Sequence, residues 1–294
     1  MINLNEMIEK EINNGYGDAN AQAKVCQDII LKAIASSSLS RNATIKGGVV
    51  MRSKTGNIRR ATQDLDIDFI RYSLENYSID LFIQKLNCID GIILARKGEI
   101  EELKQQDYHG KRVFIEVTDS FGNAIISKLD LGVHNRLDIE QEEYCFDVAF
   151  DEDGASLLIN SSEQMLVEKL RSLLRFGAVS TRYKDIFDMY YLKDTIDIER
   201  MRICLNSYIF NDPQMRENDV EDIVSRLKKS FNNKAYINRL NTTDKKWLDE
   251  DIDAILDGLI HFIESLYWLT VNPTEYTEEA FEEACKSGAK FGFP

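Results

Sequence analysis

Proline is scarce in this chain, with three residues among 294: Pro213, Pro273 and Pro294. Long stretches without a helix breaker favour helices, with some strand. Uninterrupted apolar stretches are also missing, since none approaches the roughly 20 residues that a membrane-spanning helix needs. The N-terminal stretch MINLNEMIEKEINNGYGDAN is acidic and polar, whereas a secretion signal begins basic and continues apolar. These absences predict a cytoplasmic protein without a membrane segment.

Cysteine and histidine are few and scattered. The five cysteines, an odd number, show no Cys-x-x-Cys spacing, and the three histidines stand far apart in the chain. A zinc site, a disulfide framework and a histidine-based catalytic triad each need paired or clustered residues of these types. The sequence therefore indicates buried free thiols, and any metal chemistry is expected to use carboxylates.

Basic charge is in deficit, with 36 Lys and Arg residues against 50 Asp and Glu residues and a net charge of −14. Such a balance argues against broad nonspecific binding of nucleic acid. The segment 41–63 is the exception, because it carries six basic residues and no acidic one. This segment is either a solvated face or a site for a polyphosphate, in which Arg52, Lys54 and Arg59 could steer a triphosphate or an RNA end.

Periodicity divides the chain into two parts. An N-terminal helical stretch is followed, between residues 43 and 150, by β-prone pieces that predict a mixed α/β unit of roughly five strands. Beyond residue 160 amphipathic helical stretches dominate, beginning with SSEQMLVEKLRSLLRFG, where Ser162 fits an N-cap. The prediction is an α+β chain with an α/β domain over 1–155, which includes the N-terminal helices, and a helical domain over 156–294.

The segment DLDIDF places Asp64, Asp66 and Asp68 at every second position. On a strand these three residues share one face, while the apolar residues between them face the core. Three like charges on one face raise one another's pKa unless a cation lies among them. The segment is therefore either a solvated edge strand, whose acids block aggregation, or a metal site.

The metal interpretation gains support from Lys46-Gly47-Gly48, which stands between a β-prone piece and a helical piece. Glycines let the backbone approach phosphate oxygens, and a helix N-terminus adds N–H donors and a favourable dipole. A phosphate-binding turn followed by carboxylates that hold Mg²⁺ suits phosphoryl or nucleotidyl transfer. A further carboxylate from a neighbouring strand would supply a ligand or a general base. Asp130 and Glu116 are the two candidates, since each has an apolar residue on either side.

Two stretches of the sequence resemble the nucleotidyltransferase AbiEii/AbiGii toxin family. The first, IKGGVVMRSKTGNIRRATQDLDIDF, is similar to the family's Lys-Gly-Gly turn followed by Arg-x-Ser/Thr-x-Asp-x-Asp. The second, EQMLVEKLRSLLRFGAVSTRYKDIFDMYYL, is similar to its helix pair, in which a lysine precedes Arg/Lys-Asp-x-x-Asp. The resemblance spans residues 40–195. The matching positions are Lys46, Gly47, Gly48, Arg60, Thr62, Asp64 and Asp66 in the first stretch, and Lys169, Lys184, Asp185 and Asp188 in the second.

The resemblance implies a polymerase-β-like nucleotidyltransferase fold, the use of NTPs and dependence on Mg²⁺, with Mn²⁺ as an alternative ion. It implies Asp64 and Asp66 as metal ligands and favours Asp130 over Glu116 as the third, because KLDLGV fits the family's later strand. Asp68 has no counterpart and receives a supporting role. The nucleotide-binding and catalytic residues that the resemblance implies are Lys46, Gly47, Gly48, Arg60, Thr62, Lys169 on the triphosphate, and Asp185 orienting that lysine or binding nearby.

Two positions are explained without a role in catalysis. Lys184 and Asp188 stand at i and i+4, so an ordinary ion pair on a helix accounts for them.

The spacing between Gly48 and Asp64 is longer than in compact nucleotidyltransferases, and we expect a loop at SKTGN.

The leading hypothesis is an enzyme that transfers NMP from an NTP to an acceptor hydroxyl, with the 3′ end of an RNA or tRNA as the favoured acceptor. Many members of the resembled family are toxins of toxin–antitoxin or phage-defence systems, so an antitoxin is an expected partner. Two alternatives stay open. One is nucleotidylation of a Ser, Thr or Tyr in a protein, and the other is an inactive protein of the same fold that only binds a partner.

Overall fold

In the described residues, a mixed sheet of seven strands organises the first part of the chain. The computed structural model describes residues 1–103, 110–136 and 138–267. The chain divides into two units, the first from Met1 to Ser161 and the second from Ser162 onward. Within the described residues, no helix combines the length and the apolar character needed to cross a bilayer.

The first unit follows the prediction of a mixed α/β sheet, and its strands are paired in the order β3-β4-β5-β2-β1-β7-β6. The pairs β2–β5 and β1–β7 are parallel, and the others are antiparallel. The strands are β1 (Ala43–Lys46), β2 (Asp64–Phe69), β3 (Ile92–Leu103), β4 (Gly110–Asp119), β5 (Ala124–Val133), β6 (Glu142–Val148) and β7 (Asp151–Ile159). The helices are α1 (Leu4–Asn13), α2 (Asp18–Ser36), α3 (Gly48–Thr55) and α4 (Asn76–Lys85).

The core of the first unit lies between the sheet and α2. This helix is apolar along most of its length, and it packs against β5, β6 and β7. On β2 the side chains of Leu65 and Ile67 are fully buried, which is the pattern expected for the apolar half of an alternating strand. The aspartates between them consequently belong to the opposite face of the sheet.

Three local expectations differ from the structure. The sheet has more than the roughly five strands expected from alternation, and the boundary placed at 155 falls inside β7. Strand β7 belongs to the first unit because its residues Leu158 and Ile159 pair with β1. The loop expected at SKTGN is shorter, since α3 continues through Thr55 and the chain turns at Gly56.

The described elements of the second unit are helices. The α-helices are α5 (Ser162–Phe176), α6 (Tyr183–Leu192), α7 (Ile198–Leu205), α8 (Val220–Phe231), α9 (Lys234–Thr242) and α10 (Ile252–Ser265). Ser162 is the first residue of α5 and not its cap, so the cap position falls on Ser161.

The free thiols fall into two groups. Cys26 and Cys204 are buried, as expected for small apolar side chains. Cys88 and Cys145 are exposed, which contradicts the prediction for those two residues. Cys285 lies outside the described residues.

Candidate active site

Strand β2 lies between β1 and β5, so its aspartates have neighbours on both sides. Asp66 pairs with Lys46 on β1 and with Asp130 on β5, while Asp64 pairs with Lys128 on β5. Paired residues on neighbouring strands point to the same face of a sheet. Asp64, Asp66 and Asp130 therefore lie together on one face, the face that does not contribute to the core.

The second candidate for the third carboxylate, Glu116, lies elsewhere on this face. Strand β4 aligns Arg112 with Asp130 and places Glu116 opposite Ile126. Four residues along a strand correspond to about 13 Å, and Glu116 forms an ion pair with Lys97. Asp130 is consequently the acid adjacent to Asp66, and Glu116 is not.

Basic side chains neutralise the carboxylates of this face. Lys128 Nζ lies 2.6 Å from Asp64 Oδ1, and Lys46 Nζ lies 2.6 Å from Asp68 Oδ2. Arg112 binds Asp130 through two hydrogen bonds, Nε to Oδ1 and Nη2 to Oδ2, each of 2.8 Å. Three ion pairs on one small area of sheet show how strongly negative the area would otherwise be.

Asp66 lies at the centre of this acidic cluster. The pKa of its carboxyl is raised to about 6, chiefly by burial; Lys46 opposes the shift, and Asp130, Asp64 and Asp68 contribute to it. The raised pKa means that the local surroundings disfavour another negative charge, and a cation at this position would reverse that preference.

The side chains of this face supply carboxylate oxygens, the donor type that suits a divalent ion. Among the described residues, no group of three or more acidic, Cys or His side chains is already arranged as a metal site. Lys128 and Arg112 engage the oxygens of Asp64 and Asp130. Three carboxylates on neighbouring positions of one face nevertheless supply the oxygen ligands that Mg²⁺ prefers. The residue types and positions therefore fit the ion once these two side chains move aside.

The glycine turn packs directly against this cluster. Gly47 has φ 69° and ψ −138°, and a Cβ added there would overlap Asp66 Oδ2 and lie 3.2 Å from its Cγ. A Cβ at Gly48 would lie 2.6 Å from Oγ1 of Thr62, which is half-buried. Both glycines are thus required by close approach, and Gly47 also by its positive φ. The turn starts α3 and places the N-terminus of that helix beside Asp66.

Arg52 is a structural residue. Its side chain is buried, hydrogen-bonded to Gln27 Oε1 and 3.6 Å from Asp28 Oδ1. The expectation that Arg52 steers a triphosphate is therefore wrong. Lys54 lies 3.6 Å from Glu142, whereas Arg59 is exposed.

The buried polar residues of α2 support the start of β2, and sequence reasoning missed them. Gln27 Nε2 donates to the carbonyl oxygens of Thr62 and Asp64 at 3.0 and 3.4 Å. Asp28 is fully buried and accepts from Lys24 Nζ at 2.7 Å and from the Ala149 N–H at 3.2 Å. The signal was present in VCQDIIL, where two polar residues interrupt an apolar helix face.

In the second unit Lys169 is also buried and paired. Its Nζ lies 3.1 Å from Asp185 Oδ1 and 2.9 Å from Asp188 Oδ2. Asp188 is fully buried and accepts a hydrogen bond of 3.1 Å from the indole of Trp247. Arg182 Nε lies 2.7 Å from Asp185 Oδ2. Because Asp188 is buried and contacts Lys169 and Trp247, an ordinary helix ion pair with Lys184 does not by itself account for it.

The family model for "Nucleotidyl transferase AbiEii toxin, Type IV TA system" matches residues 29–285. The chain belongs to the AbiEii nucleotidyltransferase toxin family. This membership confirms the resemblance drawn from the two sequence motifs, and it makes the protein a nucleotidyltransferase of a toxin–antitoxin family.

The chain is similar to two solved structures. One is the crystal structure of an antigenic nucleotidyltransferase-like protein from Paracoccidioides brasiliensis, with 15% identity, a TM-score of 0.44, and coverage of 74% of this chain and 91% of that chain. The other is the solution structure of the antibiotic-resistance factor ANT(2'')-Ia, with 15% identity, a TM-score of 0.40, and coverage of 65% and 92%. A search of curated proteins found no match.

Proposed function

We propose that this AbiEii-family protein transfers a nucleoside monophosphate from an NTP to an acceptor hydroxyl, with Mg²⁺ or Mn²⁺ as the cofactor. The observation that carries the proposal is the pairing of Asp66 with Asp130, beside Asp64 and against the turn at Gly47. The carboxylates can hold a divalent ion and the helix N-terminus can bind phosphate oxygens, so the two parts needed to bind a metal–triphosphate lie together.

The divalent ion would be held by Asp64, Asp66 and Asp130, and when bound it would neutralise phosphate charge and activate the acceptor oxygen. The turn at Gly47 and Gly48 directs backbone N–H groups and the helix dipole of α3 towards the phosphates. The acceptor oxygen forms a bond to the α-phosphorus, the bond between that phosphorus and the bridging oxygen breaks, and pyrophosphate leaves. Asp130 is the carboxylate that we assign to accept the acceptor's proton.

The remaining candidate residues have supporting roles in the proposal. Lys46, held by Asp68, keeps a positive charge close to Asp66. Thr62 packs on Gly48 and fixes the turn, and Arg60 is buried near the start of β2. On the sequence match with the family motif, Lys169 binds the triphosphate, and Asp185, 3.1 Å from its Nζ, orients that lysine or binds nearby.

The acceptor that we favour is the 3′ end of an RNA or tRNA, and a cytoplasmic site of action follows from that choice. The alternative is a Ser, Thr or Tyr hydroxyl of a protein, because a net charge of −14 does not suit extensive contact with RNA. The family description names a type IV toxin–antitoxin system, so we also propose an antitoxin as a partner.

The test uses each NTP labelled with ³²P at the α-phosphate, incubated with Mg²⁺ and either bulk tRNA or cell protein. Label should enter the tRNA fraction and disappear when EDTA is added. Label in the protein fraction alone would establish the alternative acceptor. If folded protein labels neither fraction, the proposal of NMP transfer is wrong.

Substitutions of the three strand aspartates test the assignment of ligands. Asp64→Ala and Asp66→Ala should abolish transfer and relieve any growth inhibition. Asp68→Ala should cost less, because this carboxylate pairs with Lys46. Circular dichroism verifies that each variant folds. Equal losses at all three positions would show that the ligands are wrongly assigned.

A further inference from the structure

Two side chains of the sheet face occupy the carboxylates that the proposed function assigns to the metal. Arg112 engages both oxygens of Asp130, and Lys128 lies 2.6 Å from Asp64 Oδ1. An arginine fork that engages both oxygens of a carboxylate leaves little of it free for a metal ion. The divalent ion and these two side chains therefore cannot use the same oxygens at the same time.

The two cations are in partial contact with solvent. The side chains of Arg112 and Lys128 are 29% and 28% exposed, against 10% for Asp130. The fork of Arg112 on the buried Asp130 is a strong pair, so its displacement requires an ion that takes over the neutralisation of that carboxylate. Both residues also stand on the same face as the acidic cluster, directly beside it.

We propose that Arg112 and Lys128 neutralise Asp130 and Asp64 in the nucleotide-free protein, are displaced by the divalent ion, and then bind the triphosphate. This inference rests on the proposed function, because it takes the three carboxylates as the metal site. After displacement, Arg112 and Lys128 stay on the same sheet face, where they can bind the phosphate oxygens of the nucleotide. The planar fork of Arg112 suits phosphate oxygens as well as a carboxylate.

The proposal requires effects of opposite sign from one substitution. Removing either cation frees a carboxylate and should tighten metal binding in the absence of nucleotide. The same substitution removes a phosphate contact and should weaken nucleotide binding. A residue with a merely structural role would weaken both, because it would disorder the site.

The experiment measures Mn²⁺ binding to the nucleotide-free full chain by electron paramagnetic resonance, for wild type, Arg112→Met and Lys128→Met. The dissociation constant for Mn²⁺ should fall about tenfold in each variant, which corresponds to about 1.4 kcal/mol. Calorimetry with α,β-methylene NTPs of all four bases, at saturating Mn²⁺, should show nucleotide affinity reduced about tenfold.

Lys97→Met is the matched control, since Lys97 lies on the same sheet face but pairs with Glu116, away from the cluster. It removes the same charge and should change Mn²⁺ affinity less than about twofold, because salt screens an exposed charge at this distance. If Arg112→Met and Lys97→Met gave equal gains in Mn²⁺ affinity, net charge would explain the effect and the displacement mechanism would be overturned.

Further outcomes separate the inference from the function on which it rests. If wild type binds Mn²⁺, Asp66→Asn does not, and both cation variants match wild type, the metal site stands and the displacement mechanism is wrong. If wild type and all variants bind no Mn²⁺, the proposed metal chemistry itself fails. Should Arg112→Met not fold, Arg112→Lys keeps the charge without the fork, and an unchanged nucleotide affinity in it would refute the role of the fork.

Discussion

Replacement of Gly47 by alanine should disable the site through a single methyl group. The backbone at Gly47 has φ 69° and ψ −138°, and an alanine held in such a conformation costs about 1–3 kcal/mol. The new Cβ would overlap Asp66 Oδ2, so the carboxylate must shift by about 1 Å, a displacement that can reduce catalysis about 100-fold. We expect a modest loss of stability together with a near-complete loss of transfer.

Gly56 provides a control within the same segment. It also has a positive φ, 61°, but a Cβ added there meets no atom within 4 Å. Gly56→Ala should cost about 1–2 kcal/mol for the left-handed backbone and should leave NMP transfer close to the wild-type level. Urea denaturation gives the free energy of unfolding of each variant, and transfer of ³²P from labelled NTP gives its activity.

The comparison separates strain from displacement of the carboxylate. Similar losses of stability in the two variants, with a loss of activity only in Gly47→Ala, would show that displacement of Asp66, and not backbone strain, reduces transfer. If Gly47→Ala folded and transferred NMP as well as Gly56→Ala does, the turn would not set the position of Asp66, and the proposed site geometry would be refuted.

Three further predictions concern the scaffold. Arg52→Met removes one of two cations beside the buried Asp28 and should lower the free energy of unfolding, measured in urea, by about 1.5–3 kcal/mol. An unchanged free energy would mean that Lys24 alone is enough to neutralise Asp28. Burial alone would raise the pKa of Asp119, but hydrogen bonds from the N–H groups of Leu4, Asn123 and Phe121 and from the Asn123 amide lower it below its usual range. The stability that this carboxylate contributes is present above its unfolded pKa of about 3.9 and is lost as the pH falls through the lower folded value. Thermal melts should therefore show Asp119→Asn to be less stable than wild type at neutral pH. A difference in melting temperature that persists at the lowest pH would contradict this. Trp247→Phe removes the hydrogen bond to the buried Asp188 and should destabilise the second unit by about 1–3 kcal/mol. Thermal melts followed by circular dichroism measure this loss, and a stability equal to that of wild type would show that the hydrogen bond is dispensable.

The local features of the site could be predicted from the sequence because they depend on short-range patterns. Alternation in DLDIDF determines that the aspartates share a face, and Gly47-Gly48 indicates a close approach of backbone. The structure adds the reason for the glycines. The side chains of Asp66 and Thr62 fill the space where Cβ atoms would lie.

The partners of the aspartates could not be predicted, because they depend on how distant strands align. Neither Arg112 nor Lys128 stands out in the sequence, and only the register of β4, β5 and β2 brings them to Asp130 and Asp64. Arg52 illustrates the opposite error. Its place in a basic segment suggested a phosphate contact, whereas burial against α2 assigns it to the core.

The order of strands in the sheet also determines when in synthesis the site can exist. Strand β2 is made before β3 and β4, and its parallel partner β5, which carries Asp130, is made after both. Pairing of strands distant in the chain comes late because the intervening loop must first be closed. A nascent or truncated chain that ends before β5 thus carries the aspartates of β2 and the glycine turn but no assembled carboxylate cluster. The proposed site can therefore form only in a chain that extends through β5.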